Sequence, residues 1–323
     1  PVPLAQPSIW KSSVFSSWAS KYPFERIGEL ALQVSSSGLS IPFEGDTTKI
    51  MLRPNSVFLL GRELEVRNQL ADEVTSLRMA GPFPTIPFPL NSGVRPRNIP
   101  LGQTAKNKHD PSDTRFRIVG NCSAGRPGSV NDLSWCPRLV QFHLRACHIR
   151  DVLASLGPRP QMWAADIPKC FRHQQNRRDL LPLFLYIIQT QEYGTEFFVD
   201  LMNPFGWRAS EWGWQCMLAL ILWHLAPLQY CFGYVDNFFV FSAHDESSPS
   251  HSEKVSHILS SLASAGTPLH EVQESGVSIN ALGWDWDTSG PTTYMICTVD
   301  KFDTFCRYLS SWFGRSHLSF AEV

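Results

Sequence analysis

Two aspartates carry the chemistry this sequence offers. Asp236 sits in Tyr234-Val235-Asp236-Asn237, between the apolar runs Leu228 to Gly233 and Phe238 to Ser242. The aromatic and β-branched flanks read as strands, with Asp236-Asn237 as the two-residue turn of a hairpin. A carboxylate at such a tip is held at a sheet edge, where a divalent cation can bind it. Asp166 ends an earlier stretch, Gln161 to Ile167, that also reads as a strand. Taken alone, its ordinary role is that of a strand-end or capping aspartate. Asp285 and Asp287 resemble a further acidic pair, yet alternation with Trp284 and Trp286 fits the polar face of a half-exposed strand better. The eight cysteines include no CxxC pair and no His-rich cluster, so they read as reduced thiols rather than zinc ligands.

Positioning two carboxylates requires a framework, and the apolar spacing supplies one. A helix is expected over Phe24 to Val34. Val57, Leu60, Leu64, Val66, Leu70, Val74 and Leu77 recur at helical intervals, which predicts an amphipathic helix within Ser56 to Met79 that Gly81-Pro82 stops. The proline-rich segment Gly81 to Pro100 reads as an extended connector. Arg115 to Val119 alternates like a strand, Gly120 to Gly128 is turn-rich, and Arg138 to Leu156 reads as a helix closed by Gly157-Pro158. Leu181 to Thr190 is expected to be a long strand, paired with Glu196 to Leu201 across Glu192-Tyr193-Gly194. Helices are expected over Ser210 to Leu225, Lys254 to Ala265 and Lys301 to Phe313, with strands within Val277 to Asp287.

At 323 residues and 43% apolar content, the chain can bury the cores of two or three lobes. The run Met217 to Leu228 is interrupted by Trp223-His224 and falls short of the roughly 20 apolar residues a bilayer span needs. No membrane association is expected. With no basic segment leading into an apolar stretch near residue 1, an intracellular location, cytoplasmic or nuclear, is expected. The net charge of −1 conceals an uneven distribution: Arg95 to Asp179 holds 15 Lys and Arg against 6 Asp and Glu. Cations concentrated in this way suit a phosphate-binding channel, although a solvated basic face has the same composition.

The motifs in their order resemble a family. Trp163-Ala164-Ala165-Asp166-Ile167-Pro168-Lys169-Cys170-Phe171-Arg172 resembles the first catalytic motif of reverse transcriptases, and Asn203-Pro204-Phe205-Gly206-Trp207-Arg208-Ala209-Ser210, with Gln215 beyond it, their nucleotide-pocket loop. Tyr234 to Asn237 is similar to their Tyr-x-Asp-Asp hairpin except at its last residue. Gly81-Pro82-Phe83, Arg117 to Ser123, Gly128 to Asp132 and Ala281 to Trp284 bring the likeness closest to reverse transcriptases of DIRS-like retroelements, which carry a tyrosine recombinase. The resemblance covers about residues 56 to 320. It implies an α+β right-hand polymerase with fingers and palm and at most the start of a thumb. In that scheme 1–55 is an N-terminal extension and 56–160 a basic fingers-like region. The palm is 161–290, with a fingers insertion within about 172–200, and 291–323 begins the thumb or connection.

The implied reaction is RNA-directed DNA synthesis on a primed RNA or DNA template from deoxynucleoside triphosphates. Two Mg²⁺ ions, or Mn²⁺, would stabilise the attacking and leaving oxygens, so two carboxylates from different strands must converge. The resemblance assigns the metal to Asp166, Asp236 and the Ile167 carbonyl, and catalysis to these aspartates with Asn237. It makes Phe171 the block to a ribose 2′-hydroxyl, although core packing is the alternative. Phe205, Gly206 and Trp207 would shape the nucleotide pocket. Arg115 and Arg117, aided by Lys106 or Lys108, would neutralise triphosphate or template, and the residues alone do not choose among the four. Two departures stand out. Asn237 replaces the second hairpin aspartate, and Asn121 the usual acidic residue of the fingers motif. Asn237 keeps a carbonyl ligand but loses a charge, which predicts weak or manganese-preferring activity, or else a degenerate remnant that only binds nucleic acid. His270 lies where the family often has a lysine, and reads as a surface-loop histidine. The family implies a ribonuclease H domain downstream, so the chain is expected to be a fragment or truncated copy.

Overall fold

A computed structural model describes residues 8–46, 48–89, 94–105, 114–136, 145–244, 249–270, 272–282, 284–299, 302–303 and 306–307. Its elements in chain order are α1 (Ser12–Ala19), α2 (Glu25–Ser37), α3 (Glu63–Thr75), β1 (Met79–Phe83), β2 (Leu101–Ala105), β3 (Phe116–Gly120), α4 (Val130–Leu133), α5 (Ala146–Ser155), β4 (Gln161–Asp166), β5 (Leu185–Thr190), β6 (Gly194–Asp200), α6 (Arg208–Leu225), β7 (Cys231–Tyr234), β8 (Asn237–Ser242), α7 (His251–Ala265), β9 (Ser278–Ala281), β10 (Trp284–Asp287) and β11 (Tyr294–Cys297). The architecture is mixed α+β, with small antiparallel sheets ordered β4-β8-β7, β1-β6-β5, β2-β3 and β11-β10-β9.

The sheet that carries both aspartates is buried on its two faces, and this explains why its strands are nearly continuous apolar runs. Successive side chains of a strand point to opposite faces. Trp163, Ala165, Phe238 and Val240 join the core shared with α6 and α7. Met162, Ala164, Phe239 and Phe241 join a second core with Ile149 and Leu153 of α5 and Trp286 of β10. A one-residue slip would exchange these sets, so the register Gln161↔Ser242 to Asp166↔Asn237 is strongly specified. The other edge of β4 is also covered. The amide of Gln273 donates to Ala164 O, and His270 and Gly276 bridge to Asp166 and Met162.

Helix α6 is apolar almost all round because it lies inside the core. Its cover comes from α1 and α2, with Trp10, Phe15, Trp18, Ala31 and Val34 buried. Within the segment expected as an N-terminal extension, Trp10 and the buried faces of α1 and α2 thus belong to the main core. Their partner lies far along the chain, beyond the reach of local pattern.

Several elements depart from expectation. Gly81 to Phe83, expected as connector, belongs to β1, which among the described residues pairs with β6 alone and so stands at the edge of its sheet, where Pro82 is tolerated. Strand β2, within the proline-rich region's continuation, pairs with β3. The helix expected within Ser56 to Met79 is confined to Glu63–Thr75; Val57 and Leu60 stand exposed at a 3-10 turn before it. The long strand expected from Leu181 begins only at Leu185, because Arg178–Leu183 forms a 3-10 helix containing Pro182. Val277 to Asp287 divides into β9 and β10, an antiparallel pair with Ala281 opposite Trp284. Trp286 is buried and Asp285 exposed, so the expected alternation holds there; Asp285 accepts from Asn280 and Asp287 from the Ser289 amide. Of the helix expected over Arg138 to Leu156, 138–144 lie outside the described residues, as does most of that expected over Lys301 to Phe313. No helix among the described residues is long and apolar enough to cross a membrane.

Candidate active site

Asp166 and Asn237 are cross-strand partners at one end of β4 and β8, and Asp236 occupies the turn beside them. The turn is one residue earlier than expected. Tyr234 pairs with Asn237, leaving Val235-Asp236 as the two turn residues, with Val235 in the left-handed region at φ 52°. Two contacts select this register. The indole nitrogen of buried Trp214 on α6 donates to Val235 O, and the Ile167 amide donates to Asp236 O at 2.8 Å. The second bond ties the residue after Asp166 to the hairpin tip, so the two aspartates are brought together by backbone as well as by pairing.

Burial pushes the Asp236 carboxyl above its usual range, offset in part by its own amide and by Asn237 Nδ2, which donates to Asp236 Oδ1 at 2.9 Å. Cys170, buried nearby, has its thiol pushed up first by burial and then by the charges of Asp236 and Asp166, which places both carboxylates within electrostatic reach of one atom. Among the described residues no three His, Cys, Asp or Glu side chains cluster as a ligand set. Two carboxylates and nearby carbonyl oxygens are donors of the kind hard divalent cations take. Ile167, itself buried, lies in this bend. His270 is exposed, and its backbone exchanges two hydrogen bonds with Asp166, at 2.7 and 3.0 Å.

The pocket side is built from the segment after β4 and the turn before α6. The Phe171 and Phe205 rings meet edge to face at 5.3 Å, and Phe205 is half exposed. Trp207 points the other way. Its ring is buried against Phe184, and Nε1 donates to Ser134 at 3.0 Å, so it anchors the loop from beneath and does not line the pocket. Gly206 has φ +90°, and a Cβ there would lie 2.9 Å from Gly120 O. Both conformation and space exclude a side chain. Gly206→Ala is expected to cost about 1–3 kcal/mol, measurable by urea unfolding.

Asn131 joins this loop to the basic region. Its Nδ2 donates to Gly206 O at 2.8 Å and to Ser123 at 2.9 Å, while its Oδ1 accepts from the Arg208 amide at 2.8 Å. Sequence reasoning gave it no role, although its place in the Gly128 to Asp132 motif was the available signal.

Between α3, β3, the segment 169–172 and Pro204-Phe205 lies a cavity of about 350 Å³. Arg117, exposed on β3, lines it; Arg115 is exposed just before that strand, and Lys106 and Lys108 lie outside the described residues. The cavity floor is an ionic network that the sequence did not announce. Arg172 Nη1 donates to both Asp200 oxygens at 2.6 and 2.7 Å, and its Nη2 to Glu73 at 2.9 Å. Glu73 also accepts two bonds from Arg78, at 2.7 and 2.8 Å. Burial alone would raise the Glu73 carboxyl, but the two guanidinium groups outweigh it and hold it at about 2. Arg172 is likewise kept charged against burial by Asp200 and Glu73.

Compared with known proteins, the chain matches no family model and no curated protein.

Proposed function

We propose that this chain is an RNA-directed DNA polymerase domain, similar to the reverse transcriptases of DIRS-like retroelements, with a right-hand arrangement of palm and fingers. The observation that supports the reading is that Asp166, at the end of β4, and Asp236, in the β7–β8 turn, meet where the Ile167 amide donates to Asp236 O, while the segment that follows Asp166 supplies Lys169 and Arg172 to a cavity also lined by Arg117 and Phe205. Its volume lies within the range of small-ligand sites.

Magnesium, when bound, supplies the positive charge that stabilises the attacking primer oxygen and the leaving pyrophosphate. Asp166 and Asp236 would hold it, aided by the Ile167 carbonyl, and Asn237 would contribute a neutral amide where a third charge would serve better. Arg117, with Arg115, takes the triphosphate, because guanidinium forks match phosphate oxygens. The reading gives Phe171, whose ring packs edge to face on Phe205, the role of blocking a ribose 2′-hydroxyl. Gly206 lets the loop backbone approach the incoming nucleotide. The basic region Arg95 to Asp179 tracks the template and primer phosphates.

One observation favours a second reading, a remnant that binds nucleic acid without catalysis. Asn237 turns its amide hydrogens toward Asp236, satisfying one carboxylate oxygen in place of supplying a further ligand. Primer extension on an RNA template separates the two. Weak extension is expected for the native chain, stronger in manganese than in magnesium, and Asn237→Asp should raise the magnesium-supported rate about tenfold or more. Equal magnesium rates for the two proteins would count against the role given to Asn237. Silence from both folded proteins, with retained RNA binding, would establish the remnant.

A further inference from the structure

We infer that Lys169 is a triphosphate ligand that Glu73 holds in the empty pocket and yields to the incoming polyanion. It rests on the polymerase reading of the same site and adds to it a residue, besides Arg115 and Arg117, that recognises the phosphates. Lys169 lines the cavity together with Arg117. Its side chain is 55% exposed, and its ammonium lies 3.4 Å from Glu73 Oε1.

That contact is the weakest of the bonds Glu73 makes to cations. Arg78 and Arg172 approach the same carboxylate at 2.7 to 2.9 Å, within ordinary hydrogen-bond length, and 3.4 Å lies beyond it. Glu73 stays neutralised if Lys169 departs, because two guanidinium groups remain on it. An exposed ion pair of this length is held loosely. A triphosphate offers several negative charges to the same ammonium, and lysine serves phosphates as a movable point charge. The backbone agrees with a specialised position. Lys169 follows Pro168 at φ 52°, left-handed for a residue that carries a Cβ, and conformations of this kind concentrate at ligand clamps.

The ligand class is a polyphosphate attached to a nucleoside, and the phosphates are the part Lys169 recognises. The test is calorimetric titration of the full chain with inorganic tripolyphosphate, with a deoxynucleoside triphosphate and with the bare nucleoside, all in EDTA. The native protein is expected to bind both phosphate compounds. Lys169→Gln should weaken each by about tenfold, the scale of one charge-assisted hydrogen bond, and Lys169→Arg should restore most of the affinity. Nucleoside binding should not change, and thermal unfolding should show both variants folded. Unchanged tripolyphosphate affinity in Lys169→Gln, or none in the native protein, overturns the inference. Because these titrations need neither metal nor primer, the two readings fail separately. Lys169-dependent tripolyphosphate binding without any primer extension would sink the polymerase and keep the ligand. Extension that requires Asp236 alongside Lys169-independent binding would do the reverse.

Discussion

Asp236→Ala is expected to lower primer extension by about 10³-fold or more while leaving the protein folded, an effect of the size seen when a charged or hydrogen-bonding group acting on the transition state is removed. The two halves of this expectation have one cause. Burial raises the Asp236 carboxyl, so its ionised form is uncomfortable in the absence of a cation. A carboxyl raised in the folded state costs stability once it ionises, that is, as pH rises through its folded value. Alanine removes that cost at neutral pH, so its thermal unfolding temperature should equal or exceed the native one. Asp236 itself keeps a negative φ, and the strained residue of the turn is Val235, so alanine meets no conformational obstacle. The raised carboxyl also means that protons compete with the cation above the usual carboxylate range, and magnesium dependence should steepen as pH falls toward it. Extension that survives in Asp236→Ala would remove this residue from the chemistry.

Arg172→Ala is expected to be the most damaging change to stability, at about 3–5 kcal/mol, the cost of leaving a buried charge without its partner. Asp200 is 1% exposed, and its other hydrogen bonds come from Tyr186 Oη and the Met202 amide, each at 3.2 Å. Neither supplies a positive charge. Native stabilities of roughly 5–15 kcal/mol leave little after such a loss. Urea unfolding measures it, and Arg172→Met combined with Asp200→Leu should recover much of the deficit because the orphaned charge is gone. Glu73 would still hold Arg78 in that double variant. A shift below about 1 kcal/mol in Arg172→Ala would show that the network stabilises far less than its burial implies.

How much of this was legible depended on the distance between partners. The strands around Asp166 and Asp236 were visible because their apolar runs are local, and the pairing of β5 with β6 followed from a short connection. The turn was misplaced by one residue since Val235-Asp236 and Asp236-Asn237 both make two-residue tips; Trp214 and Ile167 decide between them from elsewhere in the chain. Strand β1 was hidden by its proline, which forbids a central strand and says nothing against an edge. Trp207 reads as a pocket residue by its neighbours, yet Phe184 and Ser134 draw it inward. The ionic network joins Glu73, Arg172 and Asp200 across 99 and 28 residues, and no pattern of spacing marks such a set.

The wrapping of α1 and α2 over α6 has a consequence for biosynthesis. These two helices leave the ribosome about 180 residues before the helix they cover. At the usual pace of translation that is roughly ten to forty seconds with Trp10, Phe15, Trp18 and Val34 lacking their final surface. The nascent chain must carry that apolar surface unshielded until α6 emerges, which makes its early half a substrate for chaperones that bind exposed hydrophobic segments.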